Sequence, residues 1–107
     1  MIPAGFDYHA PRSVADAVKL LGELGTDAKL LAGGHSLLPM MKLRFAEPGH
    51  LIDLGRIAEL RGISQSGDEI RIGAMTTEHD LLNSKLLAEK APLLVEGAGW
   101  IADPQVR

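Results

Sequence analysis

The 107-residue sequence contains no cysteine. That excludes disulfide frameworks, thiolate metal sites, iron–sulfur ligation and cysteine nucleophiles, and it fits a cytoplasmic protein. Aromatics are scarce: Phe6, Tyr8, Phe45 and Trp100 are too few and too dispersed to form a stacking surface for nucleic acid. There is no basic stripe, and the formal charge is -3, so nucleic-acid partners have no support. No apolar run approaches the roughly 20 residues of a membrane span. The opening MIPAGFDYHAP lacks the basic and apolar regions of a signal peptide. His9, His35, His50 and His79 show no metal-ligand spacing and read as isolated histidines. The phosphate motifs G-x-G-x-x-G and G-x-x-x-x-G-K-[ST] are both absent.

What is present reads as a folded α/β chain, with 46% apolar and 23% charged residues arguing against disorder. FDYHAP reads as a strand closed by Pro11. Ser13 is placed to cap a helix, with Asp16 three residues on. Val14, Ala17, Val18, Leu21 and Leu24 give that helix one apolar face, and Gly25 ends it. AKLLAG reads as a buried strand, so the first segments form a strand–helix–strand unit of parallel sheet. Pro48-Gly49 turns the chain into a third strand, His50 to Leu54. Leu60–Gln65 and Glu69–Gly73, joined at Ser66-Gly67-Asp68, read as a hairpin. Thr76 or Thr77 caps a helix, a second apolar helical stretch breaks before Pro92, and ADPQVR forms a tail. The switch from parallel to antiparallel style predicts a boundary near Arg56, with a first α/β lobe over 1–56 and a second lobe beginning over 57–107. The hairpin leaves an open sheet edge, which suggests that more polypeptide normally follows.

The stretch KLLAGGHSLLPMMKLR concentrates the candidate chemistry. Two glycines after a buried strand let backbone approach a ligand closely, and free N–H groups before a helix start favour an anion. Ser36 adds a hydroxyl and is placed to cap that helix, where Pro39 is tolerated. The same residues are also a sufficient recipe for a plain turn. A third reading takes Gly34-His35-Ser36 as a nucleophile elbow, with His79 and Asp80 or Asp103 completing a triad. Leu38 stands where that elbow needs glycine. Lys42 and Arg44 read as a solvated strand edge, and Glu78-His79-Asp80 as a solvated helix face.

AGGHSLLPMMKLR, HLIDLGRI, IRIGAMTTEHDLL and IADPQVR follow one another in this order. In that combination the chain resembles the FAD-binding medium subunit of molybdenum hydroxylases, of the carbon monoxide dehydrogenase medium-subunit type within the xanthine dehydrogenase family. The resemblance implies a two-lobed FAD-binding domain of the vanillyl-alcohol oxidase and p-cresol methylhydroxylase type: a small parallel βαβ lobe, then an antiparallel one. It puts the FAD pyrophosphate on Ala32, Gly33, Gly34, His35 and Ser36. It puts Thr76 and Thr77 near the flavin, and Asp103 and Arg107 on the approach to a second FAD loop. In relatives, N-x-G-T-I-G-G-N follows PQVR, so this chain reads as an N-terminal fragment with half of the pyrophosphate clamp and is not expected to be active alone.

The function so implied is electron relay in an oxidoreductase complex. A large molybdenum cofactor subunit oxidises the substrate, and a small iron–sulfur subunit passes electrons to FAD and on to an acceptor. No side chain here is required as a general acid or base. Two alternatives stay open: another oxidoreductase on the same FAD fold, such as an oxidase or a cell-wall precursor reductase, and a non-catalytic truncated fragment. Gly34→Val is expected to block the diphosphate while leaving the fold largely intact.

Overall fold

The computed structural model describes residues 5–101. The chain divides into two compact units, Met1–Glu59 and Leu60–Arg107. The first unit is a three-stranded parallel sheet. Its strands are β1 (Asp7–His9), β2 (Ala28–Leu31) and β3 (His50–Asp53), in the order β1-β3-β2. The helix α1 (Val14–Leu24) joins β1 to β2 and packs against β2 and β3. The short helix α2 (Leu37–Lys42) precedes β3. Register sets Asp7 and Ala28 beside His50, Tyr8 and Lys29 beside Leu51, and Leu31 beside Asp53. Side chains alternate across a sheet, so consecutive Leu51 and Ile52 face opposite ways. Both are fully buried, which shows that the central strand is covered on each face.

Local signals explain how α1 forms. The Ser13 hydroxyl accepts the Asp16 N–H at 3.1 Å, and the Glu59 carboxylate accepts the Val14 N–H at 2.6 Å. Two of the unpaired donors at the helix start are thereby satisfied. Glu59 lies in a 3-10 turn, Ala58–Leu60, just after the buried Ile57. Gly25 ends the helix with φ +65°. The predicted apolar face is only partly used. Ala17 is buried, whereas Val14, Val18 and Leu21 are 37%, 64% and 37% exposed. Helical spacing puts those residues on one side, but the described residues cover it only in part.

The second unit opens with the hairpin β4 (Ile63–Ser66) and β5 (Glu69–Ile72), paired antiparallel. Gly67, at φ +60°, provides the left-handed residue of its turn. Beyond the ladder, Gly73 N–H donates to the Gly62 carbonyl at 2.9 Å and Met75 N–H to the Leu60 carbonyl at 2.8 Å. Three helices follow: α3 (Glu78–Leu82), α4 (Lys85–Lys90) and α5 (Pro92–Gly99). Thr77 caps α3, Ser84 caps α4, and Pro92 occupies the first turn of α5, where its missing N–H removes nothing. Leu87 and Ala98 are the buried apolar residues of these helices. Among the described residues the fold is therefore mixed α/β, with one parallel and one antiparallel sheet. No helix among the described residues is long and apolar enough to cross a membrane.

Candidate functional site

The glycine turn leaves β2 at Leu31, whose carbonyl accepts the Leu54 N–H at 3.0 Å. Gly33 and Gly34 then take φ +77° and +84° in succession, a conformation that side chains with a Cβ strongly resist. The Gly34 carbonyl accepts the Leu38 N–H at 3.2 Å and so begins α2. The N–H groups of Gly33, Gly34, His35 and Ser36 find no acceptor among the described residues. Gly34 is buried, while Ala32, Gly33, His35 and Ser36 are exposed. Four consecutive open backbone donors, two on glycines, suit a diphosphate. The six-residue α2 contributes little helix dipole, so the donors themselves carry that fit.

Two expectations about this turn need correcting. Ser36 does not cap α2: its hydroxyl makes no capping bond and has no partner among the described residues, because its backbone is already helical (φ -109°, ψ -49°). An N-cap side chain needs extended backbone to reach forward. The Gly34→Val expectation, which blocks the diphosphate and leaves the fold largely intact, overlooks a local cost. A Cβ on Gly34 would stand 2.6 Å from Leu38 Cδ1 and 3.0 Å from its Cγ, at a positive φ. Any larger residue at Gly34 therefore shifts the Leu38 side chain and strains the backbone at a positive φ. Gly33 is different, since its Cβ would meet nothing nearer than His35 Cδ2 at 3.7 Å.

Nor does the turn resemble a hydrolase elbow. No histidine or carboxylate is bonded to the Ser36 hydroxyl among the described residues. A nucleophilic serine needs such a base within hydrogen-bond reach. His79, offered as that base, contacts Asn83, the residue that ends its own helix.

The other sequence candidates lie in the second unit. Thr76 is committed to Gly62: its hydroxyl accepts the Gly62 N–H at 3.0 Å and donates to the Gly62 carbonyl at 3.2 Å. The Thr77 hydroxyl accepts the Asp80 N–H at 3.1 Å. Asp103 and Arg107, with the rest of the tail, lie outside the described residues. Lys42 ends α2, and Arg44 takes φ +60° after it, so neither forms a strand edge.

Two pairings in the first unit escaped sequence reading. His9 Nε2 and His50 Nδ1 stand 3.2 Å apart, so one imidazole donates to the other, and Asp7 Oδ2 lies 3.8 Å from His50 Nδ1. These histidines are not isolated, yet no group of three or more ligating side chains is assembled for a metal among the described residues. The second pairing is Tyr8 with Asp53. The Tyr8 hydroxyl donates to Asp53 Oδ2, while Asp53 Oδ1 accepts the Gly55 N–H at 2.8 Å. That hydrogen bond, aided by partial burial and the carboxylate's charge and opposed by Arg56, pushes the Tyr8 phenol up from its ordinary range. Tyr8 is the chain's single tyrosine, so an ultraviolet titration reads it directly. We expect ionisation above the usual value of about 10, and a return toward it in Asp53→Asn. A raised phenol stabilises the fold below its unfolded pKa, and that contribution is lost as pH climbs through the raised value.

Residues 4–107 match the family described as the FAD binding domain in molybdopterin dehydrogenase. The carbon monoxide dehydrogenase medium chain of Hydrogenophaga pseudoflava is 66% identical over all 107 residues, and that of Afipia carboxidovorans is 57% identical. The chain spans 37% of the length of each. A solved structure of the Hydrogenophaga pseudoflava carbon monoxide dehydrogenase, lacking the Mo-pyranopterin moiety, superposes with a TM-score of 0.93. The match covers 100% of this chain and 37% of that one.

Proposed function

The chain belongs to the family of FAD-binding domains of molybdopterin dehydrogenases, and from that membership we propose that it holds the FAD pyrophosphate on Ala32, Gly33, Gly34, His35 and Ser36 within an electron-transferring flavoprotein subunit. The observation that carries this reading is the run of open backbone donors from Gly33 to Ser36. FAD supplies the redox chemistry when bound, and the protein supplies placement and electrostatics. Gly33 admits the ligand close to the main chain, Gly34 begins α2 by accepting the Leu38 N–H on its carbonyl, and Ser36 offers an uncommitted hydroxyl. Thr77, whose hydroxyl proton has no acceptor among the described residues, is the proposed flavin contact, and Thr76 acts by fixing the backbone at Gly62. Asp103 belongs to the same reading as a further cofactor contact. The two units correspond to the two lobes of the domain.

The working enzyme is proposed to be a cytoplasmic complex. A molybdenum subunit oxidises the substrate, an iron–sulfur subunit relays electrons, and FAD on this subunit delivers them to an acceptor. The absence of cysteine here agrees with clusters held by a partner chain. Carbon monoxide is the substrate to assay first, since both relatives described above are carbon monoxide dehydrogenase medium chains.

Titration with FAD tests the core of this reading. A ligand that binds only the native state raises Tm, by an amount that grows with concentration. No shift at saturating FAD, in the complete subunit, removes the assignment. Ser36→Ala is expected to weaken FAD binding by only about 0.5–1.5 kcal/mol, one hydrogen bond, with Tm of the FAD-free protein unchanged because no cap is lost. Isothermal titration gives the first number and a melt the second.

A further inference from the structure

We infer that Tyr8 is a stacking residue of the dinucleotide site and that its ring receives the adenine of FAD; this rests on the pyrophosphate assignment above. The ring is placed by four consecutive relations within the first unit. Tyr8 shares a sheet face with Asp53 and Leu31 by strand alternation and register. Its hydroxyl is tied to the Asp53 carboxylate. Asp53 stands beside Leu31 at the carboxyl ends of β3 and β2. Leu31 Cδ1 lies 3.5 Å from where a Cβ on Gly34 would be, so the same face runs on to the glycine turn. In open parallel sheets, ligands collect at that carboxyl edge.

The ring itself is left without other work. Tyr8 is 53% exposed, and the only aromatic ring pairing among the described residues is His9 with His50. A half-exposed aromatic held at its hydroxyl is oriented before any ligand arrives, so little rotamer freedom remains to be lost on stacking. Of the two planar ends of the dinucleotide, adenine suits the surroundings better. Its exocyclic amine is a donor, and the Asp53 carboxylate beside the ring is an acceptor. The isoalloxazine gathers negative charge on reduction, which a neighbouring carboxylate opposes even with Arg56 in the vicinity.

Dissociation constants for FAD and FMN, measured in the full-length flavoprotein that carries this chain, test the inference. FMN lacks the adenine. Tyr8→Ala is expected to weaken FAD by roughly 10- to 100-fold, the usual range for one stacked base, and to leave FMN unchanged. Tyr8→Phe keeps the ring and is expected to stay within a few-fold of wild type. Tyr8→Leu, which keeps apolar volume on the strand, gives the same comparison if Tyr8→Ala does not fold. Equal weakening of FAD and FMN makes Tyr8 a structural strut and overturns the inference, as does unchanged FAD binding in Tyr8→Ala. Wild-type protein that binds FMN but not FAD, or neither flavin, overturns the pyrophosphate reading and this one with it.

Discussion

Replacing Gly33 by aspartate is expected to lower FAD affinity by roughly 100- to 1000-fold while leaving the fold standing. Gly33 is exposed, and a Cβ there meets only His35 Cδ2 at ordinary contact distance. Its φ of +77° is unfavourable for most side chains, but aspartate and asparagine tolerate that region best. The stability loss is therefore on the order of 1 kcal/mol. The carboxylate, however, enters the run of open N–H donors where the diphosphate is proposed to lie. Like charges about 4–5 Å apart, at an effective dielectric near 20, repel by about 3–4 kcal/mol, and each 1.4 kcal/mol is tenfold in affinity. Gly33→Asn has the same shape and backbone demands without the charge, so its affinity should fall far less. The flavin-to-protein absorbance ratio of purified subunit, with FAD titrations of both variants, makes the comparison. If Gly33→Asp retains flavin at the wild-type level, the diphosphate lies elsewhere. Gly34 cannot serve this purpose, since its substitution also moves Leu38.

The contrast between Gly33 and Gly34 marks where sequence reading stops. Adjacent glycines after a strand announce a left-handed turn, and the turn is there. Which glycine faces solvent and which faces Leu38 depends on how α2 folds back, a tertiary matter. Signals that act over three or four residues were legible: Ser13 with Asp16, Gly25 as a stop, Gly67 in the hairpin, Pro92 at a helix start. The mixed α/β class followed from their order. Helical spacing identified the apolar side of α1, but spacing cannot say what covers Val18, which stays 64% exposed. The histidine pair and the Tyr8–Asp53 bond join positions more than 40 residues apart through the β1–β3 register. No local pattern encodes that register. Ser36 shows the opposite failure: a residue type good at capping sits at a helix start, but its helical backbone turns the hydroxyl away from that duty. The candidate stretch is nonetheless legible, because its proposed chemistry rests on backbone donors and small residues, and those are visible as glycine.

The largest stability effect is expected at Gly73, a position that carries no candidate chemistry. Gly73 has no positive φ, so conformational freedom does not explain it. Space does. A Cβ at Gly73 would lie 2.3 Å from the Leu60 carbonyl oxygen, 2.6 Å from its carbon and 2.8 Å from the Arg61 nitrogen. All three are main-chain atoms, and none can rotate aside. Gly73→Ala must therefore push the two segments apart. The bonds that close this crossing are Gly73 N–H to Gly62, Met75 N–H to Leu60, and the Thr76 hydroxyl to Gly62. Forced overpacking costs about 1–3 kcal/mol, and each weakened bond adds about 1 kcal/mol. A loss of about 2–4 kcal/mol is expected, read as a fall in Tm of roughly 10 °C or more. Hydrogen exchange should place the damage in the second unit, with faster exchange at the Gly73 and Met75 amides and none added at Leu51 or Ile52. Gly97→Ala is the control. It lies within α5 with nothing within 4 Å of its Cβ, so the better helix former should be neutral or stabilising by up to about 1 kcal/mol. If both alanines behave alike, the close approach of Gly73 to Leu60 is not what holds the hairpin to the segment that leads to Thr76 and Thr77. If they diverge as expected, flavin affinity in Gly73→Ala becomes informative. A drop there with the glycine turn untouched would support a contribution of the Thr76–Thr77 segment to binding through its position, which the Gly73–Leu60 approach sets.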